Sequence, residues 1–327
     1  MTQQKTEGVP VIDLAPLIDG RTAGVDEVAR KIRHAYTRIG FSYIINHGVP
    51  QALIDEAFDA NRQFHALPER DKFRIETNRW HRGYIAINTS TIVTSSIAKV
   101  TRPNQSASFM MMHELPPNDA DVLAEKPLAG PNQWPESYPE FRETVTRYNL
   151  ALQKLCEQLL PAISKALGTE GRTLRTFFRR PTTFLRLLHY PSISGPRDEG
   201  LYGSAPHTDY GFITLLAQDS GGGLQVKPRG GDWMDAPPMP GAFVMNTGDI
   251  TARWSNDLFL STPHRVYNRQ DTDRYSMAFF FDPTMDSRIS CLPSCLDKAS
   301  GVRYEPVIYG DYLMDRLNAN HAYRHEK

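Results

Sequence analysis

One short stretch limits this chain more than any other: Ser204-Ala-Pro-His207-Thr-Asp209-Tyr-Gly211-Phe212. An extended strand turns alternate side chains to the same face, so His207 and Asp209 point together, about 6–7 Å apart at the backbone. An imidazole and a carboxylate placed this way offer two ligands to one metal ion. His264, in Ser261-Thr-Pro-His264-Arg-Val266, offers a third, 55 residues after Asp209. For the three to meet, the fold must bring distant strands to a common mouth, as a jelly roll does. Two imidazoles and a carboxylate with no thiolate beside them suit Fe(II). Zinc accepts the same three groups in hydrolytic sites.

A second pair with the same spacing lies ten residues after His264, in Arg274-Tyr-Ser276. Both side chains take one face of a strand that continues as Met277-Ala-Phe-Phe-Phe281. An arginine pointing into such apolar surroundings needs a carboxylate, because an unpaired buried charge is very costly. The planar guanidinium suits a ligand carboxylate. Ser276 adds one hydroxyl, and Tyr190 in Arg186-Leu-Leu-His-Tyr190-Pro adds another. The plainer reading is an internal salt bridge, for instance with Asp249.

The rest of the chain supplies a scaffold. Val9–Leu14 reads as extended. Val25, Val28, Ile32, Ala35, Tyr36 and Ile39 recur at helical spacing, with Gly40 as a stop. Phe41–Ile45 reads as a strand, and Pro50 opens a second helix that closes near Leu67-Pro68. From Phe141 through Val145, Tyr148, Leu152, Leu155, Leu159 and Ile163 to Leu167 runs the longest apolar stripe, a spine for a sheet. Pro161 is expected to weaken, bend or split that helix. Beyond residue 180, short strand patterns alternate with Gly- and Pro-rich turns, over Thr183–Tyr190, Gly211–Ala217, Gly223–Val226, Ala242–Asn246, His264–Val266 and Ser276–Phe281. Tyr309–Asn318 reads as a last helix. Residues 78–135 are the least regular, either a lid over a site or a surface excursion. The fold class this predicts is α+β, with a jelly-roll core, flanking helices and a long spine helix. Its parts are an N-terminal helical region (1–135), the spine region (136–180), the core (181–300) and a C-terminal helix and tail (301–327).

Composition excludes several classes of function. Lys plus Arg and Asp plus Glu are each 37, so no net field attracts nucleic acid or an anionic membrane. No apolar run approaches the ~20 residues of a membrane helix, and Met1–Gly8 has no hydrophobic signal core. Three cysteines, Cys156, Cys291 and Cys295, are too few and odd in number for a disulfide framework and read as reduced thiols. These features predict a cytoplasmic protein, and nothing in the sequence calls for an obligatory protein partner.

Taken together, the motifs resemble the isopenicillin N synthase-like branch of the Fe(II)/2-oxoglutarate-dependent oxygenases over almost the whole chain. The N-terminal part carries Pro10-Val-Ile-Asp-Leu14, Asn46-His-Gly-Val49 and Phe64-His-Ala-Leu-Pro68, and the middle carries Arg82-Gly-Tyr84 and Gly130-Pro-Asn-Gln-Trp-Pro135. The C-terminal half carries His207-Thr-Asp209-Tyr-Gly211, Gly222-Gly-Leu-Gln-Val226, His264-Arg-Val266 and Arg274-Tyr-Ser276. The resemblance implies a double-stranded β-helix with Fe(II) on His207, Asp209 and His264. It also implies 2-oxoglutarate held by Arg274 and Ser276, with help from Tyr190. The penicillin-forming enzyme and the ethylene-forming plant oxidase keep the Arg-x-Ser pair without consuming 2-oxoglutarate, so an oxidase of that type is the alternative. The arginine that the penicillin-forming enzyme uses two residues before its Gly-Tyr pair is His81 here, with Arg82 beside it. Leu188 stands where plant relatives often have Asn.

The implied reaction is C–H oxidation of a small molecule by O₂, as hydroxylation, desaturation or ring closure, with 2-oxoglutarate going to succinate and CO₂. The setting expected is secondary metabolism. His81, Arg82, Tyr84, Phe109 and Phe281 are the candidate substrate contacts, with core filling as the plainer reading of Phe109-Met-Met-Met112. A non-catalytic binding protein on the same fold is the reading from another class. Its sign would be loss of a triad member, and all three are present.

Overall fold

The longest apolar stripe determines where the sheet lies. Glu140–Ala166 is one helix of 27 residues whose buried face includes Phe141, Val145, Tyr148, Leu152, Leu155, Leu159 and Ile163. It packs on the helices Gly24–Tyr36 and Gln51–Ala66 and touches the strand Arg274–Asp282. This computed structural model describes residues 8–320, apart from 22, 94, 96, 193–199, 268–270, 298 and 300. Among the described residues, no helix is long and apolar enough to cross a membrane.

The helix continues through Pro161 instead of splitting there. Proline lacks the N–H that would reach the carbonyl of Glu157. Glu157 lies on the exposed side of the helix, where water can serve that carbonyl. Leu159, Leu160, Ala162 and Ile163, all buried, fix the helix on both sides of the defect.

In chain order the strands begin with β1 (Val11–Asp13), β2 (Phe41–Ile45), β3 (Gly83–Ile85), β4 (Ala107–Met112), β5 (Thr182–Tyr190) and β6 (Ser204–His207). They continue with β7 (Ile213–Gln218), β8 (Leu224–Val226), β9 (Met234–Asp235), β10 (Phe243–Thr247), β11 (His264–Val266) and β12 (Arg274–Asp282). Eight form the major sheet in the order β1-β2-β10-β7-β12-β5-β4-β3, and four form the minor sheet β6-β11-β8-β9. Every pairing in the two sheets is antiparallel except that of β1 with β2. The inner faces meet in a small cluster that includes Phe41, Leu188, Leu224, Val226 and Val266. The architecture is the α+β double-stranded β-helix, with the spine helix behind its major sheet.

Residues 78–135 are more regular than their composition suggests. They supply β3 and β4, which extend the major sheet beyond β5. A glycine marks one close approach elsewhere. Gly40 sits at φ 75° where the chain turns into β2, and a Cβ there would lie 2.5 Å from the carbonyl of Leu260.

Candidate active site

Strands β6 and β11 are neighbours in the minor sheet, and His207 and His264 are direct cross-strand partners. This register closes a gap of 57 residues in sequence. Asp209 follows β6 by two residues. Its Oδ1 lies 3.8 Å from Nε2 of His207 and 3.7 Å from Nε2 of His264. One ligand atom from each of the three residues falls within 4.8 Å of the others. Nδ1 of His207 is 2.7 Å from the carbonyl of Ala205, and Nδ1 of His264 is 3.3 Å from that of Thr262. A carbonyl only accepts, so each Nδ1 carries the hydrogen and each Nε2 presents its lone pair.

The carboxylate is fixed from behind. Asp209 Oδ2 accepts from Thr214 Oγ1 at 2.6 Å and from Asn246 Nδ2 at 2.7 Å. Burial pushes this carboxyl up, but the two imidazoles and those two donors outweigh burial and hold it below its usual range. Burial, aided by the neighbouring His264, lowers His207 to about 4, which keeps it neutral. A carboxylate and two imidazoles, all aimed at one point and held by second partners, match the donor chemistry of a divalent iron site.

A cavity of about 70 Å³ runs from this triad to Arg274, Ser276 and Tyr190. Arg274 is fully buried. Its Nε donates to the carbonyl of Gly222. Its terminal nitrogens reach Ser276 Oγ and Gln218 Oε1, both at 3.3 Å, and its guanidinium lies 4.5 Å from the ring centre of Tyr190. Ser276 Oγ is 3.4 Å from the Tyr190 hydroxyl. None of these partners is a carboxylate. Asp249 is not the internal partner, because it is held by Ser261 at 2.6 Å, Tyr312 at 3.1 Å and Arg316 at 3.3 Å.

A second cavity of about 110 Å³ opens on the other side of His207 and Asp209. Of the five expected substrate contacts, only His81 lines it. Arg82 is buried in a structural role, donating to Asn132 Oδ1 at 3.0 Å and to the carbonyls of Leu128 at 2.6 Å and His113 at 3.2 Å. Tyr84 packs edge-on to Phe64 and Phe73. Phe109 sits among Phe64, Phe141 and Trp134, and Phe281 stacks on Phe178 at 4.9 Å. Their strand neighbours Met110 and Phe280 face the cavity instead.

Sequence reasoning also missed Arg186 and Phe184. Both stand on β5 at even steps from Tyr190, so they share its face. Arg186 lines both cavities, with Nε donating to Ser108 Oγ on β4 at 2.9 Å. Counting back by twos from Tyr190 would have found both.

Comparison with known proteins agrees with this geometry. Residues 9–137 match the family model described as non-haem dioxygenase in morphine synthesis N-terminal, and residues 181–283 match the 2OG-Fe(II) oxygenase superfamily. A 2-oxoglutarate-Fe(II) type oxidoreductase of Emericella nidulans is 32% identical over 93% of this chain and 88% of its own length. A homoarginine-6-hydroxylase of Glycine max is 31% identical over 95% of this chain and 97% of its own. A solved full-length protein of Neurospora crassa, in complex with alpha-KG and thymine, superimposes with a TM-score of 0.84 at 29% identity, covering 97% of this chain and 98% of that one. The motifs, the fold and these relatives lead to one family, and the chain belongs to the Fe(II)- and 2-oxoglutarate-dependent dioxygenases.

Proposed function

We propose that His207, Asp209 and His264 hold the iron, and that Arg274 and Ser276, with the Tyr190 hydroxyl, receive the distal carboxylate of 2-oxoglutarate. We also propose that the second cavity takes a small substrate through a planar acceptor head, a carboxylate or ring carbonyls, placed against Arg186. The single observation that carries the cosubstrate assignment is Arg274, a fully buried guanidinium with no carboxylate partner among the described residues, at the far end of the cavity that begins at the triad.

When bound, iron supplies the O₂ chemistry that couples loss of CO₂ from 2-oxoglutarate to oxidation of a substrate C–H bond. The protein's part is geometric and electrostatic. His207, His264 and Asp209 would hold the iron from one side through three clustered ligand atoms. Arg274 fixes the cosubstrate at its far end, so its keto-acid end faces the triad. Phe280 and Phe184 make the second cavity partly apolar, which keeps water away from the reacting carbon.

Charge supports the acceptor-head reading. Among the described residues, the acids lining the second cavity are Asp209 and Asp282. Asp209 belongs to the triad, and Asp282 already engages the Phe212 N–H at 2.6 Å and the Tyr309 hydroxyl at 2.7 Å. A substrate cation would therefore lack a counter-ion beside Arg186, whereas an acceptor has a donor. Thymine, the ligand of the Neurospora crassa relative, is a ring with such carbonyls. The cytoplasm is the setting we propose, in keeping with three unbridged cysteines.

The test begins without oxygen. Fe(II) followed by 2-oxoglutarate should give a weak visible band, and Arg274→Ala should raise the 2-oxoglutarate concentration needed for it at least tenfold. An unchanged requirement removes the clamp assignment. Succinate release is then screened with benzoates, cyclic imides and homoarginine. Stimulation by the first two, lost in Arg186→Met, supports the acceptor head. Homoarginine as the best substrate overturns that reading and leaves the iron site standing.

A further inference from the structure

The C-terminal helix Tyr309–Asn320 touches both the second cavity and the loop that carries Asp209. Leu313 and Leu317 stand in the cavity wall. At the start of the helix, the Tyr309 hydroxyl donates to Asp282 Oδ2 at 2.7 Å, and Asp282 Oδ1 accepts from the Phe212 N–H at 2.6 Å. Tyr309 is fully buried and Asp282 is 3% exposed. The carboxylate presses on the chain just after the triad aspartate. A Cβ added to Gly211 would collide with Asp282 Oδ1. At the other end of the helix, Asn320 Nδ2 donates to the Tyr210 hydroxyl at 2.6 Å, and the Arg316 guanidinium lies 4.6 Å from the ring centre of the same tyrosine. Residues 210, 211 and 212 are thus held from a helix about 100 positions further along the chain.

We propose that Asp282 is a positioning residue for the metal. By joining Tyr309 to the Gly211–Phe212 backbone, it fixes the loop that aims Asp209 and ties that loop to the helix walling the substrate cavity. This rests on the proposed roles of Asp209 as a ligand and of the second cavity as the substrate site. Asp282 does not itself reach the metal. It acts through the backbone, as outer partners of metal ligands do, and loss of such partners commonly costs 10–100-fold in metal affinity.

The experiment uses the full chain, metal-free, titrated with Co(II) under anaerobic conditions and followed by its visible absorption. Asp282→Ala should weaken Co(II) binding of the folded protein about tenfold or more. Asp282→Asn should restore most of it, because an amide accepts from Phe212 and donates to Tyr309 with the same shape. Tyr309→Phe, which removes one hydroxyl, should weaken binding in the same direction by a smaller factor. A purely structural role would lower the melting temperature and leave the Co(II) affinity of the folded fraction unchanged, and that result for Asp282→Ala overturns the proposal. If Asp282→Ala fails to fold, Tyr309→Phe decides, and unchanged affinity there overturns it equally. Asp209→Ala is the control for the underlying reading. If it too keeps Co(II), the metal assignment has failed; if it loses Co(II) while Asp282→Ala does not, only the positioning role has.

Discussion

Phe280 and Phe281 are adjacent in sequence and have opposite environments. Phe280 faces the second cavity, and Phe281 is fully buried against Phe178. Phe280→Ala should therefore leave the urea midpoint little changed and sharply reduce substrate-stimulated succinate release. Phe281→Ala should destabilise by about 3–5 kcal/mol. Equal stability losses would mean that β12 faces the other way. The same alternation explains what the sequence disclosed at this scale. His207 with Asp209, and Arg274 with Ser276, stand out because chemistry-bearing residues recur at a spacing of two. The cavity wall does not stand out, because Phe, Met and Leu look alike on either face. Parity was nonetheless available. Ala278, Phe280 and Asp282 continue the face of Arg274, and Phe281 does not. Arg82 misled for another reason: it is charged and lies beside His81 in sequence, but its donors go to a loop carbonyl, an amide and a strand-end carbonyl.

Elements with a one-sided apolar pattern or clear stops at both ends were legible almost to their ends. The spine helix owes this to packing that buries one face and exposes the other, whereas Phe41–Ile45, buried almost throughout, owes it to Gly40 and the Asn46-His-Gly turn that bound it. Strand β4 lacks that contrast, since all six of its residues are buried, and an unbroken apolar run does not reveal its period. Pro161 misled because the cost of proline depends on where the orphaned carbonyl points, which composition does not tell. Pro161→Ala restores an N–H to a continuous helix and should raise the urea midpoint. The gain should be below the ~3 kcal/mol of an unsupported interior proline, since proline also restricts the unfolded chain. A lower midpoint would show that the ring packs against a neighbour in a way alanine cannot replace.

For the molecule as a whole, the pH dependence of stability near neutrality falls to buried groups whose proton binding differs between the folded and unfolded chain. His47, His65 and His113 are held below the ordinary 6.5 chiefly by burial, His65 to about 3 and His113 to about 4. The unfolded chain takes up these protons first, so their contribution is complete above pH 6.5 and is lost as the pH falls from 6.5 toward 4. Asp282 opposes them. Burial raises it to about 7, so the folded state holds that proton and gains as the pH falls from 7 toward 4. With His207, likewise lowered to about 4 in the metal-free protein, four groups against one leave a net loss on acidification, about 1.4 kcal/mol per pH unit for each unbalanced proton. Urea midpoints measured on metal-free protein between pH 7 and pH 5 should fall with pH, and a rise would contradict the burial of these imidazoles. One further property follows from the pairing of His207 with His264 across β6 and β11. A slip of a single residue turns one strand's side chains to the far side of the sheet. With the iron held as proposed, a misaligned minor sheet would offer it one imidazole instead of two. Metal uptake selects the aligned chain by mass action, so the ion serves assembly as a gauge of correct alignment before it serves as a reagent. Amide hydrogens of β6 and β11 should exchange more slowly once Co(II) is added, by a larger factor than those of the spine helix.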